Sequence, residues 1–140
     1  MAWVKTSNTA AWSSAGGKKK KYPKIQMGYL YLQTTSNNSI VTLTDHNGNT
    51  IVSAWAGRVG FKGTKESSSY AAEQAAKFVL NEAKTHCGMK EVGIICRWVW
   101  LGRDGVFKAV NETWGIDIAW IKEDTPLRFG GTKGKRLKRN

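Results

Sequence analysis

The sequence of 140 residues has few of the features that define several common protein classes. Its two cysteines, Cys87 and Cys96, are too few for a disulfide scaffold, and their spacing matches no zinc-binding pattern. We therefore interpret them as ordinary reduced thiols. The longest apolar stretch, residues 92–101, is interrupted by Arg97 and is too short to cross a membrane as a helix. Apolar residues nevertheless make up 41% of the chain, which excludes a wholly disordered protein and, at this length, predicts one soluble, intracellular domain.

Acidic residues are missing from both ends of the chain. Residues 1–44 contain six lysines and no acid, and residues 128–140 contain six cations and no acid. Residues 45–127 contain ten cations and ten acids, so the net charge of +12 belongs entirely to the two ends. A neutral body with two basic arms is typical of a protein that binds nucleic acid. The alternatives are solvated tails that aid solubility and an anionic membrane, but neither arm has the apolar face of an interfacial helix.

The first 24 residues resemble an organellar transit peptide in one respect, because they are rich in serine and threonine and contain no acid. They contain no arginine and no apolar secretory core, however. We interpret residues 1–27 as a retained basic arm that includes Lys18, Lys19, Lys20 and Lys21.

Alternating and β-branched segments predict three consecutive strands at the start of the body. Two tyrosines alternate with two leucines across residues 28–35. Residues 39–44 and 50–55 are rich in β-branched side chains and flank Asn47-Gly48, a pair that favours positive φ angles in a tight turn. The second and third strands are therefore predicted to form a hairpin.

Helical and strand-like patterns alternate after residue 69. Small apolar residues at helical spacing predict a helix over residues 70–86, with Ser69 as its N-cap and Gly88 just beyond its end. A buried strand over 91–99, a shorter helix over 103–113 and a final strand over 116–121 follow.

The order β-β-β-α-β-α-β predicts an antiparallel meander that continues into right-handed crossover units. The predicted fold is a single α/β domain at 28–127, with a mixed five-stranded sheet and two helices. Basic arms at 1–27 and 128–140 flank it.

No residue pattern indicates catalysis, a metal site or a small-molecule substrate. His46 lies in the predicted hairpin turn, and His86 lies at a helix end, where an occasional positive charge is favourable. Four aspartates could in principle form the metal cluster of a nuclease, although three of them have ordinary roles in a turn, at a helix start or beside a proline. They are Asp45, Asp104, Asp117 and Asp124. A metal-dependent nuclease remains the enzymatic alternative.

The best candidate for a binding site is the glycine-rich loop between the third strand and the first helix. Its glycines would let the backbone approach a ligand, and loop amides before a helix N-terminus suit phosphate oxygens. Its cations are Arg58, Lys62 and Lys65, but it lacks the Gly-Lys-Ser/Thr ending of a nucleotide-binding P-loop. A solvated turn is the alternative.

The chain also has seven tryptophans. Trp55, Trp114 and Trp120 are predicted to be core residues. Trp98 and Trp100 could stack on unpaired bases or pack against a protein neighbour.

Several segments in one register resemble the ribosomal small-subunit protein eleven family, of bacterial or organellar type. The resemblance covers about residues 28–136 without large gaps. The matching segments are Ser36-Asn-Asn-Ser-Ile-Val-Thr-Leu-Thr-Asp45, Asn47-Gly-Asn49, Ser53-Ala-Trp-Ala-Gly57, Gly60-Phe-Lys-Gly-Thr64, Tyr70-Ala-Ala-Glu-Gln-Ala-Ala76, Gly88-Met-Lys90, Gly102-Arg103 and Asp124-Thr-Pro126.

This resemblance implies a structural, non-catalytic role in the platform of the small ribosomal subunit, beside the mRNA exit channel and the exit tRNA site. The implied partners are small-subunit rRNA, neighbouring small-subunit proteins and, near the exit channel, mRNA; no cofactor is implied. RNA contacts are expected from the arm lysines and from matched positions in the body and tail. These positions are Asn37, Asn38, Gly57, Arg58, Gly60, Phe61, Lys62, Gly63, Lys65, Arg97, Arg103, Arg128, Lys133, Lys135, Arg136, Lys138 and Arg139.

The chain departs from the family pattern at three places. A Gly-Pro-Gly-Pro run is replaced by Trp98-Val-Trp-Leu101, which suggests a different neighbour there. A His-Asn-Gly segment becomes Phe129-Gly130-Gly131, and the proline-rich basic tail becomes more flexible. Such changes favour a mitochondrial ribosome over a plastid or bacterial one. A free-standing RNA-binding module is a further alternative.

Overall fold

The computed structural model describes residues 22–139. Lys18, Lys19, Lys20 and Lys21 therefore lie outside the described residues. The described elements follow the predicted order of three strands, a helix, a strand, a helix and a strand. The strands are β1 Met27–Thr34, β2 Ser39–Thr44, β3 Thr50–Trp55, β4 Glu91–Arg97 and β5 Asp117–Glu123, and the α-helices are α1 Ser69–Glu82 and α2 Gly102–Glu112.

The strands form one mixed sheet in the order β3-β2-β1-β4-β5. β2 is antiparallel to both β1 and β3, whereas β4 is parallel to both β1 and β5. The predicted α/β fold with a five-stranded mixed sheet and two helices is thus confirmed. Because β1, β3, β4 and β5 run in the same direction, their carboxyl ends lie at one edge of the sheet.

One core cluster joins the helices to the sheet. Leu30 and Leu32 of β1 are buried in it, while the alternate residues Tyr29 and Tyr31 are half-buried outside it. The alanine-rich face of α1 packs into the same cluster, as the helical spacing predicts. β4 is buried from Val92 to Cys96, which confirms the prediction from its apolar run.

The first turn of α2 contains two glycines, Gly102 and Gly105, because other elements approach it closely. A Cβ atom at Gly102 would collide with the side chains of Ser39 and Thr34. At Gly105 it would collide with the backbone of Ser69 at the start of α1. The two helices therefore meet at their N-termini without intervening side chains.

Several predicted boundaries shift in the structure. Ser68, not Ser69, is the N-cap of α1, because its side chain accepts a 3.1 Å hydrogen bond from the amide of Ala71. The α-helix ends at Glu82, and a π-helical turn, Ala83–Cys87, carries the chain to Gly88. β4 ends at Arg97 instead of residue 99, because Trp98 has a φ of 64° and cannot continue the strand.

The hairpin between β2 and β3 is confirmed, but its turn differs from the prediction. Only Gly48 has a positive φ, of 88°, so the Asn47-Gly48 pair does not supply two such angles. The carboxylate of Asp45 accepts hydrogen bonds from the amides of Asn47, at 2.8 Å, and Asn49, at 2.9 Å. This side-chain bonding closes the turn in place of a second positive φ.

The prediction that Trp55, Trp114 and Trp120 belong to the core is wrong. Their exposed fractions are 44%, 87% and 36%. Trp55 ends the edge strand β3, Trp114 follows the end of α2, and Trp120 lies on the edge strand β5, all of whose residues are exposed. Aromatic character alone does not tell a central strand from an edge strand, so the sequence could not separate these cases.

Candidate nucleic-acid interface

Four connections meet at the edge of the sheet that holds the carboxyl ends of the parallel strands. They are the β1–β2 turn, the loop from β3 to α1, the segment from β4 to α2, and the chain after β5. Both helices also begin at this edge. We call it the connection edge; it gathers every residue of the body that the sequence predicts to contact RNA.

The β1–β2 turn presents Asn37 and holds Asn38. The hydroxyl oxygen of Thr35 accepts a hydrogen bond from the Asn38 amide at 3.1 Å, and the Asn37 side chain is exposed. The Asn38 side chain donates to the Glu66 carboxylate at 3.1 Å and accepts from the Ser39 amide at 2.8 Å. Asn38 therefore ties the turn to the start of the helical region, while Asn37 is open to a ligand.

The loop over residues 57–65, which we call the glycine loop, is exposed apart from two half-buried residues, Val59 and Phe61. Gly60 and Gly63 have φ values of 97° and 61°, and no atom lies within 4 Å of a Cβ placed on either. The backbone conformation, not crowding, requires glycine at these two positions. A ligand could reach this backbone without meeting a side chain.

The lysines of the glycine loop are available to a polyanion. Lys62 and Lys65 are exposed, and neither forms an ion pair with any of residues 22–139. The one carboxylate nearby, on Glu66, is engaged by the amide of Asn38. The loop thus presents two cations and no carboxylate directed at them.

The loop amides are less available than the sequence predicts. The amides of Arg58, Gly60 and Phe61 donate to carbonyl oxygens of residues 55–57, at 3.0 to 3.3 Å. These bonds close a compact turn after β3, and they occupy donors that a phosphate would need. These three amides are therefore not free to donate to a ligand, whereas the Lys62 and Lys65 side chains are exposed.

Arg58 is folded back against the edge of the sheet. Its guanidinium donates to the carbonyl of Ser53 at 2.5 Å and lies 4.8 Å from the centre of the Phe78 ring. One of its five N–H donors is used in this way, and the residue is exposed. Its charge is fixed in position but not neutralised, because no carboxylate among residues 22–139 pairs with it.

Arg97 and Arg103 differ from the other predicted contacts because both are paired with carboxylates. Arg97 binds Asp124 at 2.9 Å, and Arg103 binds Glu123 at 2.7 Å. The hydrogen bond that Arg103 donates to Glu123 raises the pKa of Arg103 and lowers the pKa of Glu123. These pairs join the end of β4 and the start of α2 to the end of β5, and they cancel the local charge.

The described tail leaves the connection edge after β5 and forms no helix or strand. Every residue from 128 to 139 is exposed. Its six cations form no ion pair with any of residues 22–139. They are Arg128, Lys133, Lys135, Arg136, Lys138 and Arg139.

Comparison with known proteins connects this arrangement to a family. The family model described as ribosomal protein S11 matches residues 28–139. The chain belongs to this family. Small ribosomal subunit protein uS11 of Helicobacter pylori is 44% identical over 123 residues, which cover 86% of this chain and 93% of the relative. The protein of the same name from Campylobacter curvus is 43% identical over 123 residues, covering 87% and 94%.

Members of the ribosomal protein S11 family are structural constituents of the small ribosomal subunit and not enzymes. Within residues 22–139, no three histidine, cysteine or acidic side chains come together as a metal site. Asp45 is bonded to its own turn and Asp124 to Arg97, so the nuclease alternative has no carboxylate cluster to use. Burial raises the pKa of both cysteine thiols, which disfavours the thiolate form.

Among the described residues, no helix combines the length and apolar character needed to cross a membrane.

Sequence reasoning missed two features of the site. Glu66 positions Asn38, but a lone glutamate in a polar loop gives no signal of such a role. Trp98 has a φ of 64°, the only positive φ of a non-glycine residue within the described part of the chain. Its place in a segment that departs from the family pattern was the available signal.

Proposed function

We propose that the connection edge and the two basic arms bind small-subunit rRNA in the platform, near the mRNA exit channel and the exit tRNA site. The observation that carries this proposal is a group of nine exposed cations, in the glycine loop and the tail, that have no carboxylate partner among residues 22–139. Three of them, including Arg58, lie in the glycine loop and six in the tail. Each cation placed on a phosphate would release condensed counterions, which favours binding without sequence-specific contacts.

The body and the tail would bind RNA in different ways, because the body consists of packed strands and helices and residues 128–139 form neither. The body, residues 28–127, fixes the glycine loop and Asn37 at one edge, so these groups meet RNA at defined positions. Gly60 and Gly63 leave room for a close approach, whereas Gly57 lies against the Trp55 side chain. Phe61, which packs edge-on against Tyr70 at 5.8 Å, supports the loop. The tail, residues 128–140, adopts its bound path on RNA, where many phosphates offset the entropy lost on ordering.

Arg58, Arg97 and Arg103 have secondary roles in this proposal. Arg58 holds a positive charge near the sheet edge, and its free N–H donors can reach a phosphate. Arg97 and Arg103 each keep donors beyond those used for Asp124 and Glu123. They would add less to RNA affinity, because their charges are already compensated.

The N-terminal arm starts from the other end of the domain. Tyr22 stacks on His86 at 5.0 Å, and the amide of Ile25 donates to the carbonyl of Cys87, so the arm joins the body where α1 and its π-helical turn end. The tail leaves from the connection edge. We infer that the lysines at 18–21 reach a different rRNA segment from the tail, with mRNA near the exit channel as a further partner.

The test uses the purified full chain and a small-subunit rRNA fragment that contains the platform. Replacing both Arg58 and Lys62 with alanine should weaken binding about tenfold at moderate salt and reduce the slope of log K against log salt by about one. The control pair, Lys84→Ala with Lys90→Ala, removes the same charge from the opposite end of the domain and should change affinity less than about twofold. Unchanged affinity and slope in the loop variant would show that the loop does not bind rRNA.

We further propose that the ribosome is mitochondrial. The support is the loss of the Gly-Pro-Gly-Pro run and of the proline-rich tail, changes that suit an rRNA and neighbouring proteins that differ from the bacterial ones. Immunodetection of the chain in ribosomes prepared from separated organelles tests this. The chain should be found in mitochondrial small subunits, and its presence only in plastid or bacterial ribosomes would contradict the proposal.

A further inference from the structure

The segment between β4 and α2 exposes four apolar side chains in succession. Trp98, Val99, Trp100 and Leu101, which we call the tryptophan segment, are exposed to 37%, 78%, 44% and 63%. Val99 borders two shallow cavities, one beside Leu101 and Arg103 and the other beside Thr34 and Ser36. Large apolar side chains in an unbroken exposed run are unusual on a soluble domain and indicate a surface that is covered in the assembled state.

The backbone of the tryptophan segment is fixed. The carbonyl of Trp98 accepts hydrogen bonds from Thr34, at 3.0 Å, and from Arg103, at 2.7 Å. The amide of Trp98 donates to the hydroxyl of Thr125 at 3.0 Å. These three bonds hold Trp98 at a φ of 64°, a left-handed conformation that residues with a Cβ rarely adopt. The apolar side chains are therefore presented on an ordered base, and little ordering is needed when a partner binds.

The cations on either side of this segment are already paired with carboxylates. Arg97 and Arg103, the cations on either side, are paired with Asp124 and Glu123. Asp104, in the first turn of α2, is exposed and forms no ion pair with any of residues 22–139. The surface is thus apolar with one uncompensated negative charge at its rim, which is unfavourable for a phosphate backbone.

The exposed fractions of the side chains in this segment also favour a protein partner over unpaired bases. The two most exposed residues of the segment are Val99 and Leu101, which offer no flat ring to a base. Aromatic residues that stack on bases normally work together with cations that bind the adjacent phosphates, whereas the two arginines beside this segment are already paired with Asp124 and Glu123. Aliphatic side chains beside shallow cavities instead suit the apolar side chains of another protein.

We propose that the tryptophan segment is the docking surface for an apolar segment of a neighbouring small-subunit protein that carries a lysine or arginine opposite Asp104. The proposal rests on the ribosomal placement given above and assigns one surface of the connection edge to protein instead of RNA. The glycine loop and the tryptophan segment, which precede α1 and α2, then bind different classes of partner from the same edge.

Site-specific photocrosslinking in assembled small subunits tests the assignment. A p-benzoylphenylalanine is placed in the full chain at Val99, at Lys62 or at Trp114, and the crosslinked species are identified after irradiation. Val99 should crosslink to a ribosomal protein. A crosslink from Val99 to rRNA, to a second copy of this chain, to its own arms, or to nothing would overturn the proposal.

The crosslinks from Lys62 and Trp114 distinguish a failure of this proposal from a failure of the proposed rRNA binding. Lys62 should crosslink to rRNA, and its failure to do so would count against the glycine loop while leaving the Val99 result decisive for the tryptophan segment. Trp114 is 87% exposed and lies past the end of α2, at the opposite end of the domain. A Trp114 crosslink to the same protein at equal yield would show that the Val99 crosslink is not specific to the segment.

A substitution provides the quantitative test. Val99→Asp changes an exposed side chain, so the domain should fold normally. Subunits assembled with this variant should contain the crosslinked protein at about one tenth of its normal amount, with rRNA affinity of the free chain changed less than twofold. Trp114→Asp is the matched control and should leave both quantities unchanged. Normal amounts of the partner in Val99→Asp subunits would contradict the proposal.

Discussion

The glycine loop and the tryptophan segment occupy equivalent places in the fold but differ in chemistry. Each follows a strand of the same direction, each ends at a helix N-terminus, and both lie at the connection edge. The glycine loop presents Lys62 and Lys65 without carboxylate partners among the described residues. In the tryptophan segment the neighbouring arginines are paired with carboxylates and the side chains are apolar.

This difference shows that the topology determines where a connection lies, whereas its side chains determine which kind of partner it suits. The crossover units place both connections at the carboxyl ends of the strands, where ligands of α/β sheets commonly bind. Whether a connection suits RNA or protein then depends on whether its cations are compensated. Counting the arginines and lysines of a sequence overstates RNA affinity wherever a neighbouring strand supplies a carboxylate.

The contact between the two helix N-termini keeps the connections side by side, and breaking it should have the largest effect. Gly105→Ala places a Cβ against the carbonyl of Ser69 and 3.0 Å from its hydroxyl, so α2 must shift away from α1. We expect the free energy of unfolding of the full chain to fall by about 3 kcal/mol in urea titrations. Gly134→Ala, where no atom lies within 4 Å of the new Cβ, is the control and should change it little. Equal stability of the two variants would mean that the helices are not in close contact here.

The effect of pairing Arg97 and Arg103 with carboxylates can be measured by comparing them with Lys62 and Lys65, which form no ion pair among residues 22–139. The Lys62→Ala, Lys65→Ala double variant should reduce the slope of log K against log salt for rRNA by about 1.5, since both charges are free to bind phosphate. The Arg97→Ala, Arg103→Ala double variant should reduce it by less than about 0.5, because those charges are held by Asp124 and Glu123. Filter-binding titrations at several salt concentrations provide both slopes. Similar slopes for the two variants would remove the distinction between the connections.

The strain at Trp98 offers a smaller and more local test. Glycine adopts a φ of 64° readily and alanine does not, so Trp98→Gly should be about 1 kcal/mol more stable than Trp98→Ala. Both variants remove the indole, so the lost packing cancels in this comparison. At Trp100, which has no positive φ, the alanine variant should be at least as stable as the glycine variant. Thermal unfolding of the four variants measures the two differences, and the same order at both positions would exclude backbone strain at Trp98.

The sequence predicted the fold well because each element carried its own local signal. The alternation in β1, the alanine spacing of α1 and the apolar run of β4 each indicated one structure, and all three are confirmed. The predicted end of β4, at residue 99, was wrong because residues 98–99 are apolar like the strand before them. The turn that ends the strand depends on hydrogen bonds with Thr34 and Thr125, which are distant in sequence.

The location of the candidate site could be predicted from the sequence, but the pairing of its arginines with carboxylates could not. The glycine loop and the tail stood out as basic segments, and the structure shows their cations exposed. The pairing of Arg97 with Asp124 and of Arg103 with Glu123 depends on β5 lying beside β4, which no local pattern reveals. RNA contacts by individual residues remain predictions that the experiments above address.

The smallest effect is expected from an ion-pair network that joins α1 to α2, the helices that follow the two connections. Glu73 on α1 is buried and binds Lys77 at 2.6 Å and Lys108 of α2 at 3.3 Å. The hydrogen bond from Lys77, followed by contributions from Lys108, lowers the pKa of Glu73 below its ordinary value of 4.5. A carboxyl whose pKa is lowered by folding stabilises the protein above the ordinary value, and this stabilisation is lost as the pH falls through the lowered one. Glu73→Gln should therefore have a lower Tm than the parent chain at pH 7, and the difference should shrink steadily as the pH is taken below 4.5. Glu91→Gln, which removes an exposed carboxylate without an ion pair among residues 22–139, is the matched control. A Glu73→Gln deficit that persisted undiminished in acid would show that packing, not charge, joins the helices at this position.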